Sequence, residues 1–448
     1  MAPRSPKAYD PAATVAAEGP TVSRNITDVV NAGLAARYRA EKRFRAYGII
    51  AILIALSMLA TLFATIIAKG YPAFTTTVLE LPVTVERELV ANAQGEVTPE
   101  SIAFANFATP LRAALDAQFP DVEGRAEKRQ LYAILSDGAT FALQAMIREN
   151  PELVGREVIV EAPVSSDFDL LYKGQIDIAL PESQRRVNDR QVAWFQALQD
   201  RGLVDSEFNT ILFTNGDSRQ PELAGIWGAV VGSFYTLMVT LALSFPIGVA
   251  AAVYLEEFAP KNKWTDLIEV NINNLAAVPS IVFGLLGLAV FLQLFGLPRS
   301  APLVGGLVLT LMTLPTIIIA SRAALKSVPP SIREAALGVG ASKLQMITHH
   351  VLPLAMPGML TGTIIGMAQA LGETAPLLMI GMVAFVVDIP GGPMDPATVL
   401  PVQIFLWADS PERAFVARTS AAIMVLLAFL VVMNAAAVLL RKKFERRW

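Results

Sequence analysis

The sequence contains no cysteine, which excludes disulfide bonds, thiolate nucleophiles and cysteine-ligated zinc. Any part that folds outside the cytoplasm must therefore be held together by packing alone. Histidine is nearly absent too: His349 and His350 are the only two, and a metal site needs more ligands than this pair supplies. No nucleophile–base set can be assembled, so an enzyme is the least favoured class, and we predict no catalytic, cofactor-binding or metal-binding residues.

Charge is missing from long stretches of the chain. Hydrophobic residues make up 54% of the sequence and charged residues 17%, a composition typical of membrane proteins. Six runs are long enough to span a bilayer. They cover residues 46–68, 226–254, 270–298, 300–321, 351–387 and 419–440. Glu373 is the one charged residue within them. The sequence therefore predicts six transmembrane helices.

Basic residues orient these spans, because positive charge accumulates on the cytoplasmic side. A cluster precedes the first run: Arg37, Arg39, Lys42, Arg43 and Arg45. We therefore predict a cytoplasmic tail, residues 1–45, of which about the first 31 are disordered. Alternation then places residues 69–222 outside and residues 326–353 inside, within a helical membrane core of residues 223–440. The basic end, residues 441–448, agrees by falling inside.

The outside region, residues 69–222, has the patterns of a soluble domain. Helical spacing of apolar residues covers 125–148 and 188–203, and strand-like alternation covers 158–164 and 175–180. These patterns predict a mixed α/β domain. Its carboxylates are scattered without a convincing catalytic pair.

The stretch from Pro329 to Pro353 is polar and lies between two apolar runs. Pro329 and Pro330 end the preceding helix, and Ser331 followed by Glu334 is a capping-box pattern that starts another. Gly340 permits a sharp change of direction. A second helix then covers 343–352. The pattern predicts a helix–turn–helix lying across the membrane face.

This stretch resembles the EAA loop of ABC-importer permeases, which is cytoplasmic in that family and docks on a separate ATPase subunit. The matching positions are Glu334, Ala335, Ala336, Gly340, Leu352 and Pro353; His350 departs from the family's aliphatic residue. Residues 326–353 are therefore predicted to be the coupling loop. The resemblance implies that ATP and Mg bind to the partner ATPase and not to this chain, which agrees with the absence of a Walker A pattern.

Three further stretches narrow the resemblance. Leu371 to Leu378, reading LGETAPLL, resembles a signature of the PstA-type permeases of the phosphate-specific ABC importer, and 278–284 and 400–405 are similar to other stretches of that family. The resemblance implies a mainly α, type I importer-like permease core that carries inorganic phosphate into the cytoplasm. It also implies a bacterial inner-membrane location with both termini cytoplasmic. The implied partners are an ATPase dimer, a second related permease and a periplasmic phosphate-binding protein, with no nucleic acid.

Polar residues near or within the spans are the candidates for the translocation pathway. They are Glu373, Thr374, Gln369, Asn274, Ser280 and Arg322. A carboxylate at the depth predicted for Glu373 faces either a pathway or a hydrogen-bonding partner. Pro279 indicates a kink or a broken helix, and a broken helix offers free N–H groups to an anion. Arg322 fits a snorkelling anchor better than a ligand, although it could also attract an anion leaving the pore.

Gln369 departs from the family pattern. Many members of the family carry arginine at this position, four residues before the glutamate of the signature.

A separate feature of the fifth run is a stripe of glycines. Gly358, Gly362 and Gly366 are spaced by four and let another helix approach closely.

Two alternatives stay open at this point. One is a permease for another oxyanion or small solute, which competition in an uptake assay would reveal. The other is a membrane receptor whose outside domain senses a ligand. A receptor has no need of five clustered spans with a glutamate in one of them.

Overall fold

The computed structural model describes residues 26–444. Helix α1, Ile26–Gly70, begins about twenty residues before the first apolar run. The prediction of disorder through residue 31 is therefore wrong for its last residues. Alanine, arginine, lysine and glutamate dominate the stretch ahead of the run and favour helix, and a helix extends from an existing one without a new nucleus. Residues 1–25 and 445–448 of the two predicted tails lie outside the described part. The chain divides into two units, one ending at Thr65 and one beginning at Ile66.

Residues 71–223 form an α/β part built on a three-stranded antiparallel sheet. Its elements are β1 (Thr75–Thr84), α2 (Arg87–Val90), α3 (Pro99–Phe104), α4 (Ala108–Gln118), α5 (Arg125–Tyr132), α6 (Gly138–Glu149), β2 (Glu157–Pro163), α7 (Ser166–Tyr172), α8 (Asp189–Asp200), β3 (Val204–Phe208) and α9 (Thr210–Thr214). The long strand β1 lies in the middle and pairs with both others. Alternate residues Leu79, Leu81 and Val83 are buried, in the core that also receives apolar residues of α4, α6 and α8.

Two local predictions for this part are corrected. The predicted helix over 125–148 is two helices, α5 and α6, with a break between Tyr132 and Gly138. Residues 175–180 form turns where a strand was predicted. Gly174 has a φ of +68°, and the Asp177 carboxylate accepts a hydrogen bond from the Ala179 N–H at 2.9 Å. Such a side-chain turn competes with strand pairing.

The rest of the chain is helical. It contains α10 (Trp227–Val253), α11 (Lys263–Ala276), α12 (Ser280–Gly287), α13 (Pro302–Ser327), α14 (Pro330–Gly338), α15 (Lys343–Met346), α16 (Leu352–Gly372), α17 (Ala375–Met379), α18 (Leu400–Ala408) and α19 (Ala414–Phe444). Widened π turns at 254–258, 288–294 and 347–351 extend α10, α12 and α15. Within residues 26–444, five helical stretches are long and apolar enough to cross a membrane, and α11 with α12 makes a sixth when taken as one.

The third predicted span is not straight. Its halves α11 and α12 meet at an angle of 102°, and Pro279 precedes the first residue of α12. The uncharged run begins at Val270, whereas α11 begins seven residues earlier at Lys263. Of the two interpretations of Pro279, a broken helix is therefore confirmed.

The fifth predicted span ends early. Helix α16 stops at Gly372, and Glu373 has extended backbone angles. Pro376 has no N–H to donate to the Gly372 carbonyl, and its ring would clash with that carbonyl in a continuing helix. The prediction that the fifth span is one helix continuing to residue 387 is therefore wrong. Glu373 lies at a break between α16 and α17 and not within a helix.

Helices α13 and α16 pack closely along the glycine stripe. A Cβ on Gly358 would overlap Ala324, and one on Gly362 would overlap Ala320. Near Gly366 the distances are those of ordinary contact. The close approach predicted for this stripe is confirmed, and its partner is α13 of the same chain.

The α/β part and the helical core belong to the same compact unit, although the sequence divides them at residues 222 and 223. Trp407 donates its indole N–H to the Asp217 carboxylate at 2.9 Å. The buried Arg418 of α19 donates to the Ala224 carbonyl. These contacts join the end of the α/β part to α18 and α19.

Candidate functional site

The predicted coupling loop, residues 326–353, folds as a helix, a turn and a second helix. Gly340 has a φ of +89°, a conformation that side chains with a Cβ rarely adopt. Ser342 then caps α15: its hydroxyl accepts from the Gln345 N–H, and the Gln345 side chain accepts from the Ser342 N–H at 2.9 Å. The predicted turn is confirmed by this geometry.

The predicted capping box of Ser331 and Glu334 is wrong. Pro329 is the N-cap of α14, and no side chain caps the helix. Because α14 starts at Pro330, which suits the first helical position, Ser331 lies inside the first turn. The capping box of the loop is formed by Ser342 and Gln345 instead.

The loop exposes a mixed surface. Glu334, Ala335 and Gly340 are exposed, whereas Ala336 is buried against the core beneath. Apolar side chains stand out of the same surface: Val339 is 86% exposed, and Leu337 and Leu344 are exposed as well. The sequence analysis did not single out these three residues as contact residues. Apolar residues within an otherwise polar stretch were the signal that could have indicated them. Apolar side chains clustered on a polar loop are typical of a contact surface.

Leu352 and Pro353 are half-buried. The prediction that the second helix ends at Leu352 is wrong. Helical structure continues from Lys343 to Gly372 through the widened turn at 347–351. A π turn removes the clash that Pro353 would make in a regular helix. The coupling loop therefore runs directly into α16.

Ion pairs join the loop to the end of α10, and α13 to both α10 and α11. Arg333 of α14 binds Glu257 at 2.9 and 3.2 Å. Arg322 of α13 binds Glu269 of α11 at 2.6 Å and Glu256 at 3.5 Å. Arg322 is thus a paired cation, and its roles as a snorkelling anchor or as a charge that attracts an anion stay predictions.

Sequence reasoning missed Arg333 and the three glutamates. Glu256 and Glu257 directly follow the second apolar run, and that position was the available signal. Their partners lie more than sixty positions further along the chain, a separation at which spacing predicts no pairing.

Two of the three stretches that resemble the family, residues 278–284 and 371–378, meet in the structure. Helix α12 packs on α17, and a Cβ on Gly284 would clash with Pro376. This contact brings together the segments that carry Ser280, Glu373 and Thr374, and all three residues are half-buried. Asn274 and Gln369 are exposed on α11 and α16.

The contact between the α/β part and helices α18 and α19 contains two buried carboxyl groups, Asp217 and Glu222. Burial raises the pKa of Asp217, and hydrogen bonds from Trp407 and from the Ser218 N–H offset part of that rise. Glu222 is also buried, and burial raises its pKa, with hydrogen bonds to its carboxylate and the charge of Arg418 acting in the opposite direction. Ionisation of either group is therefore disfavoured where the α/β part meets the helical core.

Comparison with known families divides the chain in two. Residues 244–447 match the family described as binding-protein-dependent transport system inner membrane component. Residues 31–182 match a domain of unknown function.

Relatives with similar sequences are bacterial permeases. Phosphate transport system permease protein PstA 1 of Mycobacterium tuberculosis is 32% identical over 225 residues, which are 50% of this chain and 72% of that protein. PstA of Xylella fastidiosa is 30% identical over 52% of this chain and 80% of its own length. A probable ABC transporter permease of Bacillus subtilis, YqgI, is 37% identical over 155 residues, 34% of this chain. The match spans about half, 52%, of YqgI.

A solved structure of the MetNI methionine ABC transporter in an inward-facing conformation matches 49% of this chain and 98% of its own matched chain. Its TM-score is 0.39 and its sequence identity 20%.

Proposed function

Because this chain belongs to the PstA-type permeases of ABC importers, we propose that it carries inorganic phosphate into the cytoplasm as one subunit of an ATP-driven complex. As a permease subunit it has no ATPase site of its own. Phosphate is supported by relatives that are named phosphate transport permeases and by the LGETAPLL stretch. The chain would lie in a bacterial cytoplasmic membrane with both termini inside.

The coupling loop is the observation that carries this proposal. An exposed helix–turn–helix with protruding Leu337, Val339 and Leu344 is suited to a groove on another protein. Glu334 adds a charge to that surface. ATP and Mg would bind to two partner ATPase subunits, whose closure would displace the loop and the helices joined to it.

Transport would then proceed by alternating access. Helices α13 and α16 are packed too closely to slide independently, because Gly358 and Gly362 admit Ala324 and Ala320. They would move as one body when the ATPase subunits close. A second, related permease would complete the pore, and a periplasmic phosphate-binding protein would deliver the anion.

The anion pathway would pass the break between α11 and α12. No side chain caps the start of α12. The Val282 N–H donates to the Pro279 carbonyl, so the Ser280 and Ile281 N–H groups are the ones that would donate to an oxyanion. Ser280 adds a hydroxyl at that end, and Glu373 and Thr374 lie on the segment next to it. Gln369 stands where many members carry arginine, so the positive charge would come from elsewhere in the complex.

Uptake of radiolabelled phosphate tests the proposal. The chain is expressed with its second permease, ATPase and binding protein in cells that lack phosphate import, and unlabelled sulfate, molybdate and amino acids are added in excess. We expect ATP-dependent uptake that only phosphate competes away. Competition by another solute would assign a different substrate. Uptake by the purified single chain without companion subunits would overturn the mechanism.

Affinity purification in mild detergent tests the assembly separately. We expect the tagged chain to bring along an ATPase and a second permease. Recovery of the chain alone, under conditions that preserve known importer complexes, would count against a shared complex.

A further inference from the structure

Two neighbouring glutamates at the end of α10 bind different helices. Glu256 and Glu257 lie in the widened turn at 254–258. Glu256 contacts Arg322 at 3.5 Å and Lys326 at 3.6 Å, both on α13. Glu257 binds Arg333 on α14. The end of α10 therefore connects the coupling loop to α13 through a pair of adjacent carboxylates.

Arg333 joins three helices through one guanidinium group. Besides its two hydrogen bonds to Glu257, it donates to the Leu325 carbonyl at 2.8 Å and the Val328 carbonyl at 2.7 Å. These carbonyls belong to the last turn of α13, where a helix lacks its own donors. The Glu257 side chain is only 8% exposed. A displacement of α14 must therefore move α10 and α13 with it or break several hydrogen bonds in a partly buried site.

Arg322 extends these contacts to α11. Its guanidinium binds Glu269 of α11 at 2.6 Å. No residue of α11 is fully buried, so this ion pair is one of the main contacts that fix its position on α13. Helix α12 contacts the α17 segment through Gly284 and also packs on α13, where a Cβ on Gly287 would overlap Val308. The two halves of the broken span are therefore attached near opposite ends of α13, α11 at Arg322 and α12 at Val308.

We infer that these ion pairs form a relay that transmits movement of the coupling loop to α11. Arg333 and Arg322 are its positioning residues. When α14 is displaced, α10 and α13 follow through Arg333, and α11 follows α13 through Arg322. Helix α12 is attached to α17 and near the other end of α13, so a tilt of α13 changes the angle at residues 277–279 and the pathway beside Ser280 opens or closes. The inference rests on the proposed function, because it assumes that an ATPase moves the coupling loop.

The chain's lack of cysteine allows this movement to be measured directly. Spin labels on Asn273→Cys in α11 and Leu285→Cys in α12 report the bend, and labels on Asn273→Cys and Ile319→Cys report the separation of α11 from α13. All three positions are exposed or largely so. Distances are measured in the complete complex without nucleotide and with the ATPase trapped by ATP and vanadate.

In the otherwise unchanged chain we expect trapping to alter the 273–285 distance by several ångströms and to leave the 273–319 distance constant. In Arg322→Gln, the 273–285 change should be lost although trapping still occurs. Phosphate transported per ATP hydrolysed should fall at least tenfold. A purely structural role would lower the amount of complex without abolishing the distance change in the complex that forms.

Variants of the neighbouring residues complete the test. Lys263→Gln is the matched control, since Lys263 is an exposed cation of α11 that lies outside the relay, and it should behave like the parent. Arg333→Gln should lose the distance change as Arg322→Gln does, and the double variant should transport no less than the weaker single one. If Arg333→Gln fails to assemble, Glu257→Gln replaces it, because Arg333 then keeps its bonds to α13.

Three results would overturn the relay: an unchanged 273–285 distance on trapping, a change that persists in both arginine variants, or multiplicative losses in the double variant. Failure of the proposed function would look different. In that case no ATPase would co-purify with the chain, or trapped complexes would import another solute while the distances still behaved as described.

Discussion

At the scale of single residues, Gly340 is fixed by its backbone angle. Its φ of +89° is closed to proline, which requires about −65°. We expect Gly340→Pro to reach the membrane in normal amount but to reduce phosphate uptake at least tenfold, because α14 and α15 can no longer form their turn. Immunoblots of membranes alongside radiolabelled uptake measure the two effects.

Gly338 supplies the control for that substitution. It lies in the same loop, a Cβ there meets nothing within 4 Å, and its φ lies outside the positive range. Gly338→Ala should keep the uptake of the parent. Equal uptake in Gly340→Pro would show that the shape of this turn is irrelevant to coupling.

Glu334 is exposed beside Arg333, and the two should fail in different ways. Glu334→Lys reverses a charge on the contact surface without breaking a contact that supports the fold. We expect the variant to accumulate normally and to lose most of the ATPase that co-purifies with it, whereas Arg333→Gln keeps the ATPase and loses transport. Quantitative co-purification separates these outcomes, and undiminished ATPase recovery with Glu334→Lys would contradict the assignment.

Asp217 gives a pH dependence whose sign follows from its burial. The pKa of this carboxyl is raised in the folded protein, so folding favours the protonated form. Its contribution to stability is complete below the ordinary value of about 3.9 and is lost as pH rises through the raised value. Asp217→Asn cannot ionise and still accepts a hydrogen bond from Trp407.

We therefore expect the unfolding temperature of Asp217→Asn to rise relative to the parent as the pH increases above about 4. Asp217→Leu should instead destabilise at all pH values by about 1–3 kcal/mol, since it leaves the Trp407 N–H unpaired. Thermal unfolding in detergent measures both. Asp200→Asn, an exposed carboxyl on α8, is the control, and a pH dependence matching that control would remove Asp217 as the cause.

At the scale of elements, the contact of α13 with α16 depends on small residues at facing positions. A Cβ on Gly362 would overlap Ala320. We expect Gly362→Ala to destabilise the helical core by about 1–3 kcal/mol, in the range of overpacked sites. Ala320→Gly should restore stability in the double variant because it removes the overlapping atom. Thermal unfolding of the two single variants and the double variant tests this, and additive losses would mean that the helices do not meet there.

Much of the helical architecture could be predicted from uncharged runs, which located α10, α13 and α19 because a span must be apolar along its whole length. The same runs did not show where helices break. Residues 270–298 and 351–387 carry no charge apart from Glu373, yet the first bends by 102° and the second stops at Gly372. Hydropathy reports the surroundings of a residue, whereas Pro279 and Pro376 determine the direction of the backbone.

The candidate site was predictable only in part. The turn at Gly340 followed from local chemistry, since glycine is required where φ is positive. The pairs of Arg322 and Arg333 with glutamates join positions 53 to 76 residues apart, and they exist because α10, α11, α13 and α14 end side by side. Their residues were visible in the sequence, but the tertiary arrangement that selects partners was not.

At the scale of the whole molecule, Arg418 holds the α/β part against α19. It is buried, donates to the Ala224 carbonyl and lies near Glu222. We expect Arg418→Met to destabilise this contact by about 1–3 kcal/mol, because the Ala224 carbonyl loses its hydrogen-bond donor. Limited proteolysis should then cut residues 71–223 faster.

Arg413→Met is the matched control, because Arg413 is an exposed arginine directly before the same helix. Its rate of cleavage should equal that of the parent. Equal protection in the two variants would mean that Arg418 is dispensable for joining the two parts.

The contacts at Asp217 and Arg418 make motion of the helical core detectable at the α/β part. At these points the α/β part contacts α18 and α19 directly. A tilt of α19 would therefore tilt the α/β part as well, and the displacement would grow with distance from the contact. A dye placed on the far side of the sheet would therefore sweep back and forth once per turnover, and the strokes of a single importer could be counted in real time.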